Sequence, residues 1–334
     1  MKKKILASLL AVCFLGLCVL LCFVIKEKNN KVMLEDKFLN KKSEYQGVIT
    51  CYNIDSFESG KASKTSFLEK VAIEFEKQNR GLFVLVKNVT IDECLLAIDS
   101  GNMPDIISFG EKLYLDIRPY LSCSLKGKQL KTMVCGDRVD FSAAAPWCFG
   151  VYSVISTKEK LKLAGHEDER NLLAILDKCS YDKKLKKSTK HIQSFVYGGV
   201  VGSQIKTVIE DQLGHKIDDS NKTFFEAYES FVNGDASLLF GTQRDLARMD
   251  SKVKLGKIED YVYSPITNFT DLIQYIGYTK SDNTLRNKKC EDFIEFLQSP
   301  NIQQKLGSIG MCAAICGVVA NTDGTIAQIE SNFY

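Results

Sequence analysis

Gly47-Val-Ile-Thr-Cys-Tyr-Asn53 is a β-rich run that opens into a polar loop, Ile54 to Lys64, and then into Ser66-Phe-Leu-Glu69, which has the form of a capping box. Phe67, Leu68, Val71, Ala72 and Phe75 follow at the spacing of one buried helix face. Asn79-Arg80-Gly81 stops that helix. Leu82 to Val86 is wholly apolar, as expected of a strand covered on both faces. Ile91 to Ile98 reads as a second helix, ended by Gly101, and Asp105-Ile-Ile-Ser-Phe109 as a third strand. This β-α-β-α-β order predicts an α/β unit with a parallel sheet and right-handed crossovers.

Downstream the pattern changes. Phe141 to Ile155 is extended through Pro146-Trp147. Asn171 to Leu176, Val200 to Leu213 and Thr223 to Val232 read as helices. In the last, Phe224, Phe225, Tyr228, Phe231 and Val232 form one stripe, ended by Asn233-Gly234. Ala236 to Phe240 is a strand running straight into Gly241-Thr-Gln-Arg-Asp245, a strand-to-helix junction. Two further strands, Tyr261 to Tyr263 and Leu272 to Tyr278, flank Pro265. Cys290, Phe293, Ile294 and Leu297 lie at helical spacing up to Ser299-Pro300, and Ile302 to Leu306 continues as helix.

The chain has 334 residues, enough for about two domains. Hydrophobic residues make up 45% and charged residues 25%, the balance of a globular protein with a core. The net charge of +3 equals the contribution of Lys2, Lys3 and Lys4, so the rest is formally neutral. A neutral body argues against nucleic acid as a partner, because displacing counterions from phosphates needs a basic face. Ile5 to Ile25 is an uncharged, almost wholly apolar run of a length that spans a bilayer. With Lys2–Lys4 before it, the positive-inside rule places the remaining chain outside the cell. Residues 1–26 read as a signal anchor or, through Cys18 or Cys22, as a lipoprotein signal; 27–46 read as a polar tether. Nine of the 12 cysteines lie beyond that run, scattered and odd in number, so no disulfide framework is expected. Cys94, Cys148, Cys290 and Cys312 read as small core residues.

A search for chemistry is mostly negative. His166, His191 and His215 are far apart, and no C-x-x-C pair offers a metal site. Gly198-Gly-Val-Val-Gly-Ser203 lacks the lysine and spacing of a phosphate loop, though such a turn can present N–H groups to an anion. No G-x-S-x-G elbow is present. Lys183 to Lys190 reads as a solvated basic face. Asp55 and Glu58 share one loop; such acidic loops are commonly just solvated, and a hydrolytic pair is the lesser reading. No cofactor and no metal are expected.

Several blocks, taken in order, resemble the extracellular solute-binding proteins of bacterial ABC importers, in the sugar-type family that includes maltose-binding protein. Val48 to Glu58 with Phe67-Leu-Glu-Lys-Val-Ala-Ile-Glu-Phe-Glu-Lys-Gln-Asn79 is similar to the opening strand, ligand loop and helix of that family. Met103-Pro-Asp-Ile-Ile-Ser108 resembles its Pro-Asp strand, and Ala145-Pro-Trp-Cys-Phe-Gly-Val-Tyr152 its first crossing between lobes. Phe231-Val-Asn-Gly-Asp-Ala-Ser-Leu-Leu-Phe-Gly241 and Glu291 to Leu306 resemble two later signatures. The blocks cover residues 47–311. The exported part is short for the family, and only one Trp is present where sugar binders often show several.

The resemblance implies a two-lobed periplasmic-binding-protein-like fold of class II type, each lobe a mainly parallel sheet flanked by helices, with ligand in the cleft. Residues 47–149 and 272–334 would form the first lobe and 150–271 the second, with hinge crossings near 147–153 and 265–271. The implied ligand contacts are Asp55, Ser56, Phe57 and Glu58 after the first strand, Phe109 and Gly110 after the third, and Trp147 and Tyr152 on the crossing. Gln243, Arg244 and Asp245 at the junction, and Phe269 and Asp271 at the return crossing, complete the set. Trp147 reads equally as hinge packing, and Arg244 equally as an ion-pair partner of its neighbours. The implied activity is binding without turnover: a monomer tethered at the outer face that captures a small polar solute, a carbohydrate first, and passes it to ABC permease subunits. A membrane-tethered enzyme on envelope carbohydrate, using Asp55 or Glu58, and a ligand-sensing subunit remain the alternatives.

Overall fold

The structure, a computed structural model, describes residues 42–123, 130–131, 143–179, 193–199, 204–218, 221–267 and 269–332. The apolar run Ile5–Ile25, the tether as far as residue 41, the basic stretch Lys183–Lys190 and Val200–Ser203 lie outside them. Among the described residues no helix is long and apolar enough to cross a membrane.

In chain order the elements begin with β1 (Lys42–Asn53), α1 (Lys64–Gln78), β2 (Arg80–Asn88), α2 (Ile91–Asp99) and β3 (Ile106–Gly110). Then come α3 (Tyr114–Ile117), β4 (Leu121–Ser122), β5 (Ala145–Phe149), β6 (Tyr152–Thr157), α4 (Lys158–Leu163) and β7 (Gln193–Tyr197). They are followed by α5 (Ile205–Leu213), α6 (Phe224–Val232), β8 (Ala236–Thr242), α7 (Gln243–Lys254), β9 (Tyr261–Ile266) and β10 (Ile273–Thr279). The chain closes with α8 (Thr284–Leu297), α9 (Pro300–Gln303), β11 (Cys312–Ala313) and α10 (Gly324–Glu330). β1 begins five residues before the expected Gly47, with an irregularity in its pairing between Lys42 and Gly47. Asn171–Leu176, expected as helix, forms turns.

Two sheets result. The first has the order β11-β5-β10-β3-β1-β2, with β4 also on β10; the second has the order β7-β8-β6-β9. Neither is mainly parallel, which corrects the expectation. β1 is parallel to β2 and β3, and β7 to β8, but every pairing made by β5, β6, β9, β10 and β11 is antiparallel. The reason is the route of the chain. It leaves the first sheet along β5 and enters the second along β6, then returns along β9 and β10. An outgoing and a returning strand that lie side by side must run in opposite directions.

β2 also departs from its reading. It is an edge strand with Leu82 and Val84 buried and Phe83 and Leu85 exposed, at 59% and 47%. An unbroken apolar run therefore marks a strand covered on one face only. On its buried side α1 delivers Phe67, Leu68, Val71, Ala72 and Phe75, and Phe75 meets Phe293 of α8 edge to face at 5.4 Å. Cys94, Cys148, Cys290 and Cys312 are buried thiols, as read from their apolar context. One apolar cluster lies under the first sheet, one under the second, and a third joins them through Phe109, Tyr275, Leu246 and Ile329. α10 rests on α7, where Thr325 donates to Asp250 at 2.8 Å.

Candidate functional site

The first wall of the cleft is the loop between β1 and α1. Its base is tied by buried amides. Asn53 donates to Asp55 Oδ1 at 3.1 Å and to Thr65 Oγ1 at 3.0 Å. Gln274 of β10 donates to the Ile54 carbonyl at 3.0 Å and to Ser108 Oγ at 3.1 Å, pinning the ends of β1 and β3 together. Ser56 Oγ accepts from the Gly110 N–H at 3.0 Å. A Cβ on Gly110 would lie 2.3 Å from the Ser56 side chain, so the close approach itself requires glycine. Lys64, fully buried at the start of α1, donates to the Phe57 carbonyl, stands 3.2 Å from Asp55 Oδ1 and lies 4.0 Å above the Phe57 ring.

The second wall is the junction of β8 and α7. β8 is buried along its length and delivers Thr242 as the cap of α7. Asp245 Oδ2 accepts from the Thr242 N–H at 2.9 Å and from its hydroxyl at 3.3 Å. Burial pushes the Asp245 carboxyl above the usual carboxylate range, against the Thr242 bonds and the Arg244 and Arg248 guanidiniums, which pull it down. Gln243 accepts from the Val151 N–H at 3.1 Å and donates across the cleft to the Glu58 carbonyl at 2.6 Å. Arg244 Nη1 meets Glu58 Oε2 at 2.5 Å, again across the cleft. Between the walls lies a cavity of about 540 Å³, lined also by Lys61, Thr223, Phe224, Phe225 and Leu272.

The expected contacts divide. Asp55, Ser56, Phe57, Glu58, Gln243 and Arg244 line this cavity together. Phe109 does not: it is buried between Tyr114 and Tyr275, at ring distances of 6.2 and 6.0 Å. Gly110 serves the wall through Ser56. Trp147 is fully buried, stacked on Phe67 at 5.8 Å and donating to Ser108 Oγ at 3.1 Å, which is the packing reading. Tyr152 is buried in the second cluster, stacked on Phe269 at 6.2 Å, and its hydroxyl donates to Asp271 Oδ1 at 2.6 Å. Burial first, then the Asp271 charge, holds the Tyr152 phenol well above its ordinary value. Asp271 also accepts from the Gln204 N–H at 3.2 Å. Asp245 is a helix cap. Both loop carboxylates are ion-paired, Asp55 with Lys64 and Glu58 with Arg244.

Lys61, Lys64, Thr223 and Phe225 were missed. Lys64 gave no sign in the sequence, because a lysine at a helix start ordinarily faces water. Phe225 was assigned to a buried stripe, yet it is 53% exposed, while Ala227, Tyr228 and Phe231 carry the buried face of α6. Its offset from that face was the available signal. Among the described residues no cluster of His, Cys, Asp and Glu could hold a metal ion.

No family model matches the chain, and no curated protein matches its sequence. Solved structures do. The sugar-binding protein MalE from the phytopathogen Xanthomonas citri is similar at a TM-score of 0.60 and 12% identity, covering 86% of this chain and 85% of that one. The GacH receptor of Streptomyces glaucescens GLA.O, determined unliganded and with acarbose, gives 0.59 and 14% identity, covering 87% of each chain. The ABC substrate-binding protein Lmo0181 from Listeria monocytogenes, in complex with cycloalternan, gives 0.51 and 14%, covering 86% and 83%. The chain thus has the two-lobed, maltose-binding-protein-like fold that these structures share.

Proposed function

We propose that this protein captures a small polar solute, of carbohydrate type, in the cleft between its lobes and hands it unaltered to an ABC permease. The observation that carries the reading is the cleft itself: a cavity of about 540 Å³ in which the Phe57 and Phe225 rings stand among polar groups contributed by both walls. Aromatic faces suit the apolar faces of sugar rings, and a few placed polar groups fix orientation. The similar structures with acarbose and cycloalternan support the ligand class. The reading also takes the apolar run Ile5–Ile25 as the tether that holds the monomer at the outer face of the membrane. Ligand favours the closed form only through contacts it gains there, so residues bonded across the cleft are those whose loss costs affinity.

A thermal-shift screen of the full chain against sugars, amino acids and peptides tests this. A ligand at about 100 times its dissociation constant adds about 2.7 kcal/mol to stability. The expected result is stabilisation by a saccharide, contraction in solution scattering, and no product on prolonged incubation. Arg244→Ala should weaken the same saccharide by at least about tenfold, since it removes a charge-assisted bond. Stabilisation by another solute class alone, or accumulation of a cleaved sugar, would overturn the reading.

A further inference from the structure

The cleft does not end at Arg244. Arg244, Arg248 and Lys252 occupy successive turns on one face of α7, four residues and about 6 Å apart along its axis. The Phe225 ring of α6 lies 5.9 Å from both guanidinium carbons. The Tyr228 ring lies 4.6 Å from Arg248 and 5.1 Å from the Lys252 ammonium. Two rings thus seat three cationic heads in a row. Arg248 and Lys252 line a second hollow, of about 950 Å³, and Lys61 lines both this hollow and the cleft.

The charges in this groove are unevenly matched. Of its carboxylates, Asp250 accepts from Tyr261 at 2.5 Å and from Thr325 at 2.8 Å, and Asp260 pairs with Lys158 at 2.6 Å; Asp323 also lines it. Among the described residues Lys61, Lys252 and Lys254 have no ion-pair partner. Asp245 Oδ1 stands 4.0 Å from Arg244 and 3.9 Å from Arg248, beyond hydrogen-bond reach. The Arg244 side chain is 6% exposed, Nε and Nη2 have no hydrogen-bond partner, and Nη1 is held only by Glu58, itself 65% exposed. A desolvated guanidinium with two nitrogens unbonded, set against Asp245 but bonded only to the displaceable Glu58, suits a ligand that brings a carboxylate of its own.

We propose that the occupant is an acidic oligosaccharide, a chain of uronic-acid residues that displaces Glu58 from Arg244 and runs along α7, its carboxylates read by Arg244, Arg248 and Lys252. This rests on the saccharide reading above and narrows it. A neutral sugar offers Arg248 and Lys252 no charge to meet beyond the rings and the Asp245 they already face, whereas a repeating anion meets one cation per helical turn.

Isothermal titration of the full chain tests it, with trimers of galacturonate, mannuronate and glucuronate, their methyl esters, the three monomers, and maltotriose. At least one uronate trimer should bind, with its methyl ester weaker by about tenfold or more. Arg248→Gln and Lys252→Gln should each weaken the trimer by about three- to tenfold and leave the matching monomer unchanged, with the difference shrinking as salt rises. Esters or maltotriose that bind as tightly as every acid would overturn the acidic class and leave the saccharide reading standing. A bound acid that ignores both substitutions would overturn the path along α7. No binding by any saccharide would sink both readings together.

Discussion

The loop Ile54–Ser63 and the junction Phe240–Asp245 face each other across the cleft and hold their polar groups in opposite ways. The loop keeps its recognition group in water: the Glu58 side chain is 65% exposed, while the base of the wall is held behind it by Asn53, the buried Lys64 and Ser56 beneath Gly110. The junction keeps its groups dry. Gln243, Arg244 and Asp245 are all buried, each bonded to a neighbour or set against a charge. Polar interactions count for more where water is excluded, and an unmatched group there costs more. The junction is therefore the template, and the loop is the part that adapts to it.

Substitution on the two walls should separate them. Asp245→Ala strikes the dry wall hardest. It removes both bonds to Thr242 and takes away the carboxylate between two guanidiniums, which should cost about 3 kcal/mol in denaturant unfolding. A loss under about 1 kcal/mol would break the comparison at its strongest point, since a cap alone is worth about that much. Gln243→Ala leaves the buried Val151 N–H without its acceptor and should cost about 2 kcal/mol, read from the same unfolding midpoint. Across the cleft, Ser56→Ala removes one bond to the Gly110 N–H and should cost about 1 kcal/mol. Equal losses for Gln243→Ala and Ser56→Ala would mean that the two walls are built alike.

The same contrast explains what could be read from the chain. The loop was legible residue by residue: Asp55, Ser56, Phe57 and Glu58 follow a strand end, and all four line the cavity. The resemblance places a ligand loop there, and the carboxyl end of a parallel strand is where a cleft commonly opens. The junction was legible by half. Gln243 and Arg244 reach the cavity, but Asp245, one residue on, turns back to cap its own helix, and adjacent polar residues do not announce which of them will do so. Trp147 and Tyr152 both lie on the crossing, where Trp147 reads equally as a sugar platform or as hinge packing and Tyr152 as a ligand contact. Each is drawn into a core, Trp147 on Phe67 in keeping with its packing reading and Tyr152 on Phe269, where burial of a large ring is worth more than a place on a wet wall. The sheets were legible as α/β but not as mixed. Strand direction follows from how often the chain crosses, which is a property of the whole route and not of any one segment.

Glu58→Gln is the smallest effect and the sharpest test of which wall adapts. Gln243 donates to the Glu58 main-chain carbonyl, so that bond across the cleft survives the change. What is lost is the ion pair to Arg244, and because its carboxylate is mostly in water the pair should contribute no more than about 1 kcal/mol to unfolding. Salt should weaken the wild type slightly more than the variant, because the pair is open to screening from one side. Arg244 in the variant keeps its place over Phe225 and beside Asp245, so the dry wall should stand without its partner. A loss as large as that of Gln243→Ala would show instead that Arg244 depends on the loop to hold it. The template would then lie on the exposed side of the cleft, and Glu58 would be part of the frame, not a group waiting to be displaced.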